Sequence, residues 1–392
     1  MQLAKIISFF IILIFISSCA TSSLKLAQGE KGWANDYPTD SKIKHSIYLI
    51  GDVGGAEMGK STIPLVELKK HLVVDERDDE ATDVVFLGDN IYPVGMPPIG
   101  HKDRKQAEHR LNVQLESVRE FKGNVTFVPG NHDWYAFGRE GLKRQEVYIE
   151  DFLTQYNEEF TDYFRPSDGC GDVDVMRIAD KIALVSIDSH WFLTDKPRAE
   201  ENYDFSNCEI QNRTQFVAAF ADTLESLKDF DVMLTMHHPF YTTGKHGGWF
   251  QFSSYLMPLT EYKKQIKIPL PTSGVIVNEM RARISEQDTK SMRYSSYRHY
   301  LIPSIEKHGN TIVAAGHEHT LQYHVLNDVH YIVSGSGSKR GPLVREDYTK
   351  FAYGNYGYVL VDYYENGDIW MSFYANDEED ENFIEVYRSI LK

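Results

Sequence analysis

Apolar residues in this chain come in short runs, and six of these runs stop at a glycine or at a side chain able to bind a cation. Ser46-Ile-Tyr-Leu-Ile50 ends in Gly51-Asp52, and Asp83-Val-Val-Phe-Leu87 ends in Gly88-Asp89, with Tyr92 three residues on. Val125–Val128 ends in Pro129-Gly130-Asn131-His132, and Lys181–Ile187 ends in Asp188. Val232–Met236 ends in His237-His238-Pro239, and Thr311–Ala315 ends in Gly316-His317-Glu318-His319. Short unalternating runs rich in β-branched residues predict strands buried on both faces. Between them, Ile63–Val73, 103–120, Leu142–Tyr156 and 213–229 have helical spacing. Alternating strands and helices predict βαβ units and parallel pairing. Gln322–Val325, His330–Ser334, Tyr358–Tyr363 and Ile369–Tyr374 read as antiparallel-type strands. Residues 240–300 are rich in Tyr, Gly and Pro without a clean period, and predict a lid-like insertion (about 247–300) with one helix near its end.

Composition narrows the class. With 392 residues, 42% hydrophobic and 13% aromatic, the chain has ample core and is globular. A formal net charge of −16 argues against a nucleic-acid groove as its main business. It does not exclude a small phosphorylated substrate, since a metal cluster inverts the local sign.

The first residues read as an export signal. One Lys precedes an apolar run, Ile6 to Ile16, which meets Ser17-Ser18-Cys19 and is too short for a comfortable membrane span. This junction resembles a bacterial lipoprotein processing site. The resemblance implies removal of 1–18, a lipid on Cys19 and, with no acidic residue at position 20, attachment to the outer membrane. The alternative is a plain cleaved signal with an incidental Cys. Residues 19–42 then form a tether and 43–392 the folded domain. Cys170 and Cys208 remain as an even pair in an oxidising compartment, either bridged or two buried thiols.

Each metal-competent residue has a bland reading by itself. Asp52 or Asp89 suits a turn, Asn131 suits a left-handed turn position, and His237 or His317 suits a satisfied core. Together they stand at five strand ends, where open α/β sheets gather ligands. Asp52, Asp89, Tyr92, Asn131, His237, His317 and His319 are enough N/O donors for a two-metal centre, with Asp89 the candidate bridge. Asp133, Asp188 and His238 read as supporting residues, and His101, His109 and His190 as surface ones. Gly335-Ser-Gly337-Ser-Lys339-Arg340 reads as a turn near the site, with Lys339 or Arg340 steering an anion. Trp249, Phe250, Phe252, Tyr255, Leu256 and Met257 read either as a packed cap or as a surface for lipid or a hydrophobic leaving group.

Asp52-x-Gly54, Gly88-Asp89-x-x-Tyr92, Gly130-Asn131-His132, His237-x-Pro239 and Gly316-His317-x-His319 resemble, in order, the five blocks of the calcineurin-like metallophosphoesterases. Gly54 where most members carry His, paired with Tyr92, resembles the purple acid phosphatases of the small tartrate-resistant type. The resemblance implies a four-layer αββα sandwich of two mixed β-sheets. It implies a ferric site on Asp52, Tyr92 and His319, and a divalent site (Fe, Zn or Mn) on Asn131, His237 and His317, bridged by Asp89. His132 would meet the substrate from outside the metals, and His246 would protonate the leaving group. The implied activity is phosphomonoester hydrolysis by a metal-held hydroxide. A phosphodiesterase or lipid-headgroup phosphatase is the alternative, and a non-catalytic surface binding protein a third. The insertion is a departure from the small enzymes and bears on the substrate.

Overall fold

The computed structural model describes residues 20–38, 41–74, 77–156, 162–194, 208–261, 266, 268–269, 274–377 and 382–392. The expected signal peptide and Cys19 lie outside them. In chain order the strands are β1 (Lys25–Leu26), β2 (Ile43–Ile50), β3 (Thr82–Phe86), β4 (Asn124–Phe127), β5 (Asp174–Ala179), β6 (Ile182–Ser186) and β7 (Asp231–Met236). They continue with β8 (Thr311–Ala315), β9 (Leu321–Leu326), β10 (Val329–Ser334), β11 (Thr349–Tyr353), β12 (Gly357–Tyr364), β13 (Ile369–Asn376) and β14 (Phe383–Ile390). The helices are α1 (Ile63–Val74), α2 (Arg104–Val118), α3 (Asn131–Trp134), α4 (Gly138–Leu153), α5 (Ser189–Leu193), α6 (Arg213–Ser226), α7 (Phe252–Leu256), α8 (Gly274–Ile284) and α9 (Met292–His308).

Two mixed sheets face each other. One has the order β14-β13-β12-β2-β3-β4, the other β1-β11-β9-β10-β8-β7-β6-β5. Alternation along each central strand explains the continuous apolar runs. Ile47, Leu49, Val85 and Leu87 meet Leu184, Met233, Ile312 and Ala314 between the sheets. Their neighbours Tyr48, Ile50, Val84 and Phe86 turn outward to a second core with Leu65, Leu68, Leu111 and Leu115 of α1 and α2. A strand covered on both faces has no polar side to show. The result is the α/β sandwich of two mixed sheets flanked by helices.

Register then sets where the site forms. β2, β3 and β4 are parallel, with Ile50 level with Phe86 and Phe86 level with Phe127. β6, β7 and β8 are parallel in the other sheet, with Met236 level with Ala315. Both sets of carboxyl ends open on one edge of the sandwich.

Several expectations need correcting. Residues 20–38, read as tether, lie against the edges of both sheets: Thr21 exchanges backbone hydrogen bonds with Leu343, β1 pairs with β11 of the second sheet, and Glu30 accepts from the hydroxyl of Tyr387, on β14 of the first, at 2.7 Å. The segment satisfies a sheet edge that would otherwise show unpaired backbone groups. The 240–300 stretch holds α7, α8 and the start of α9 rather than one helix. α9 belongs to the framework: it caps with Ser291, and its Tyr297 and Leu301 join the outer core. β10 runs antiparallel to β9 but parallel to β8. β1, β5, β11 and β14 were not anticipated. Cys170 and Cys208 form a disulfide, against which the Arg139 guanidinium packs.

Candidate metal centre

The strand ends turn sharply because three of the residues that follow them take left-handed backbone angles. Asp52 (φ 59°), Asp89 (φ 55°) and His317 (φ 67°) are not glycines, so each conformation is strained and must be held by its surroundings. Asp52 is held by its N–H on Gly88 O (3.0 Å) and by the His317 N–H donating to its Oδ2 (2.7 Å). The His132 N–H donates to Asp89 Oδ1 (2.9 Å). Gly54 packs against this turn so tightly that a Cβ there would sit 2.4 Å from the Asn90 carbonyl. No histidine fits at position 54, and Tyr92 occupies the neighbouring space.

Two donor sets converge on these turns. In the first, the Tyr92 hydroxyl donates to Asp52 Oδ1 (2.7 Å), and His319 Nε2 lies 3.2 Å from that hydroxyl and 3.5 Å from Asp52 Oδ1. In the second, Asn131 Oδ1 lies 3.0 Å from His237 Nε2 and 3.1 Å from His317 Nδ1, and Asp89 Oδ1 lies 3.3 Å from His237 Nε2. Asp52, Asp89 and His237 also bring one donor atom each within 4.8 Å of one another, which ties the sets together.

The polarity of the second set calls for a cation. His237 Nδ1 donates to Leu87 O (2.8 Å) and His317 Nε2 donates to Gln287 O (2.9 Å). These bonds turn the other nitrogen of each ring inward. Both inward nitrogens face Asn131 Oδ1, whose amide nitrogen is committed to the Tyr135 hydroxyl (2.9 Å). Acceptors this close in a buried site need a proton or a metal ion between them. Burial works against a charge on His237, but Asp89 and Asp52 outweigh it and raise its pKa to about 9. For Asp89, burial pushes upward and His237 and His132 outweigh it, holding the carboxyl well below its usual range. Burial, with His246, His238 and His237 nearby, keeps His317 neutral. Burial and the charges of Asp52 and Asp89 hold the Tyr92 phenol well above its ordinary value, so it releases its proton only to a strongly Lewis-acidic ion. Hard oxygen donors with a phenolate suit a ferric ion, and two imidazoles with an amide and a carboxylate suit Fe, Zn or Mn.

Polar groups surround the donors. His132 donates from Nδ1 to Pro93 O (2.7 Å), leaving Nε2 on the open side, 4.0 Å from Asp89 Oδ2. The Lys339 ammonium lies over the Tyr92 ring, 2.9 Å from its centroid. Arg340 points elsewhere, over Tyr356 and toward Asn355. The His246 ring lies 4.0 Å from that of His317, its Nδ1 bonds Asp288 Oδ1 (2.7 Å), and its N–H donates to Glu318 (2.8 Å).

Asp288, Gln287 and Glu318 were not singled out from sequence. Gln287 and Asp288 lie in the aperiodic insertion, where nothing marks one acid above another. Glu318 sits inside the Gly-His-Glu-His block, and its position between two candidate ligands was the available signal. His238 bonds Ser189 (2.8 Å) and the Gln287 side chain, behind His317. Asp133 accepts N–H groups from Gly130, Asn90 and Ile91 and so braces two of the turns. Asp188 caps α5 and accepts from Trp134 Nε1 (2.7 Å). His190 is buried against Trp134 and His238 instead of lying on the surface. Phe250 is buried beneath Arg281, so this part of the insertion is packed cap.

No protein-family model matches the chain, and no curated protein sequence matches it. Solved structures do. GAP50, the anchor in the inner membrane complex of Plasmodium, matches with a TM-score of 0.54 and 16% identity over 89% of this chain and 88% of its own. PhoD matches with a TM-score of 0.53 and 12% identity, over 90% and 70%. The purple acid phosphatase PPD1 from yellow lupin (Lupinus luteus) seeds is more distant, with a TM-score of 0.48 and 13% identity over 90% and 54%. At these identities the likeness is one of fold: the chain shares its two-sheet α/β architecture with GAP50 and PhoD.

Proposed function

We propose that this chain hydrolyses phosphoesters at a two-metal centre, with phosphomonoesters as its substrates. The observation that carries this reading is the pair of donor sets, Asp52/Tyr92/His319 and Asn131/His237/His317, with Asp89 between them and imidazole nitrogens turned inward. Two bound ions, one ferric and one divalent, would act as Lewis acids on phosphate oxygens and lower the pKa of a water.

The remaining work falls to the chain's own residues. His132 Nε2 and the Lys339 ammonium flank the open side, where they would orient a phosphate dianion. As the P–O ester bond breaks, the departing oxygen needs a proton, and His246 can supply it from Nε2 because Nδ1 is tied to Asp288. A diester or a lipid headgroup is the second reading, favoured by the insertion that carries Asp288. The sequence supports export and attachment through Cys19.

The test is turnover of a phosphomonoester and a diester by the aerobically purified full chain, beside Asp89→Asn. Turnover that Asp89→Asn abolishes is expected. Undiminished turnover in that variant would remove the assigned bridge, and preference for the diester would favour the second reading.

A further inference from the structure

Helix α8 is packed the wrong way round for a protein surrounded only by water. Its buried side is Gly274, Asn278 and Ala282, at four-residue spacing. Gly274 lies so close to α7 that a Cβ would meet Tyr255 O at 1.8 Å. The outward side is Ile276, Met280 and Ile284, also four apart and 60%, 54% and 72% exposed. Residues four apart share a face, so the apolar stripe is the one turned out. Phe252 and Ile268 of the same insertion and Met292 at the start of α9 are exposed as well. At about 25 cal/mol per Å² of apolar surface, such a patch is unfavourable in water, and patches of this kind mark contact surfaces.

Charge and chain path identify the occupant. Residues 247–300 hold eight Lys and Arg against four Asp and Glu, net +4, in a chain of net −16. Ala20 is buried against the insertion: its N–H donates to Phe250 O (3.3 Å), two residues before α7. Consecutive Cα atoms lie about 3.8 Å apart. Whatever precedes Ala20, whether the apolar run Ile6–Ile16 or a lipid on Cys19, is therefore joined to the molecule next to this insertion. An apolar stripe on a net-basic segment is the pattern of a helix lying in the headgroup region of anionic lipid. A second copy of the chain would set two such net-basic segments against each other.

We infer that the outward face of α8, with Phe252, Ile268 and Met292, docks on an anionic phospholipid bilayer. Docking there brings the insertion that carries Asp288, the partner of His246, to the membrane surface.

The full chain with Cys19→Ser is reconstituted into phosphatidylglycerol/phosphatidylcholine vesicles containing doxyl-labelled lipid. An environment-sensitive fluorophore is placed by Ile276→Cys, Met280→Cys or Ile284→Cys, with Val147→Cys and Ile390→Cys as exposed controls on other elements. The α8 probes shift to the blue and are quenched several-fold more than the controls, and less so in pure phosphatidylcholine. Quenching equal to the controls overturns the proposal. So does a blue shift without lipid quenching, which would mean cover by residues 6–16 or by a second copy.

Discussion

His246 Nδ1 and Asp288 Oδ1 lie 2.7 Å apart although 42 residues separate them in the chain. Asp288 is fully buried. The pairing fixes which nitrogen of His246 faces the centre. Asp288→Asn is expected to lower kcat roughly tenfold to a hundredfold on an alkyl phosphate and much less on p-nitrophenyl phosphate, whose leaving group needs no proton. Equal losses on both substrates would assign Asp288 a purely structural role.

Tyr92 donates to Asp52 while it keeps its proton. A ferric ion would take the proton's place, and ferric phenolate absorbs in the visible. The aerobically purified protein is expected to be purple, and Tyr92→Phe colourless with its iron retained on Asp52, His319 and Asp89. Colour that survives in Tyr92→Phe would exclude this phenol as the ligand.

Metal uptake should depend on pH with a definite sign. In the metal-free site His237 keeps a proton up to about pH 9, on the nitrogen that a metal would use. Proton and ion compete, so loading releases the proton. Apparent Zn²⁺ affinity should rise about tenfold per pH unit through the neutral range and level off above about 9. Affinity that stays flat with pH would contradict this protonation.

The Cys170–Cys208 bridge closes a loop with a sequence separation of 38. Restricting the unfolded chain over such a loop contributes about 3–4 kcal/mol. The double variant Cys170→Ser/Cys208→Ser should unfold at a correspondingly lower urea midpoint, and reduction should add two alkylation sites to the native mass. An unchanged midpoint would mean that native contacts such as Arg139 hold the segment without the bond.

The strands that build the centre were legible in the sequence because burial on both faces forces their composition. The C-terminal half of a strand like β3, Val84–Phe86, is covered on both faces and apolar, so the first polar residue after it marks where the chain leaves the core. That places Asp52, Asp89, Asn131, His237 and His317 by simple reading. The edge strands were not legible for the same reason reversed. Asp174–Ala179 and Phe383–Ile390 are part exposed, and their mixed composition does not distinguish strand from loop.

Sequence by itself determined which residues stand at strand ends and that their donor atoms suit metal ions. Tertiary structure decided what those atoms face. Leu87 O and Gln287 O select the inward nitrogens of His237 and His317, the Asn90 backbone closes the space above Gly54, and Asp288 crosses 42 residues to reach His246. It also decided that Gly274, Asn278 and Ala282, rather than Ile276, Met280 and Ile284, form the buried side of α8. Periodicity fixes that a helix has two faces, but only the neighbours available for packing decide which one turns inward.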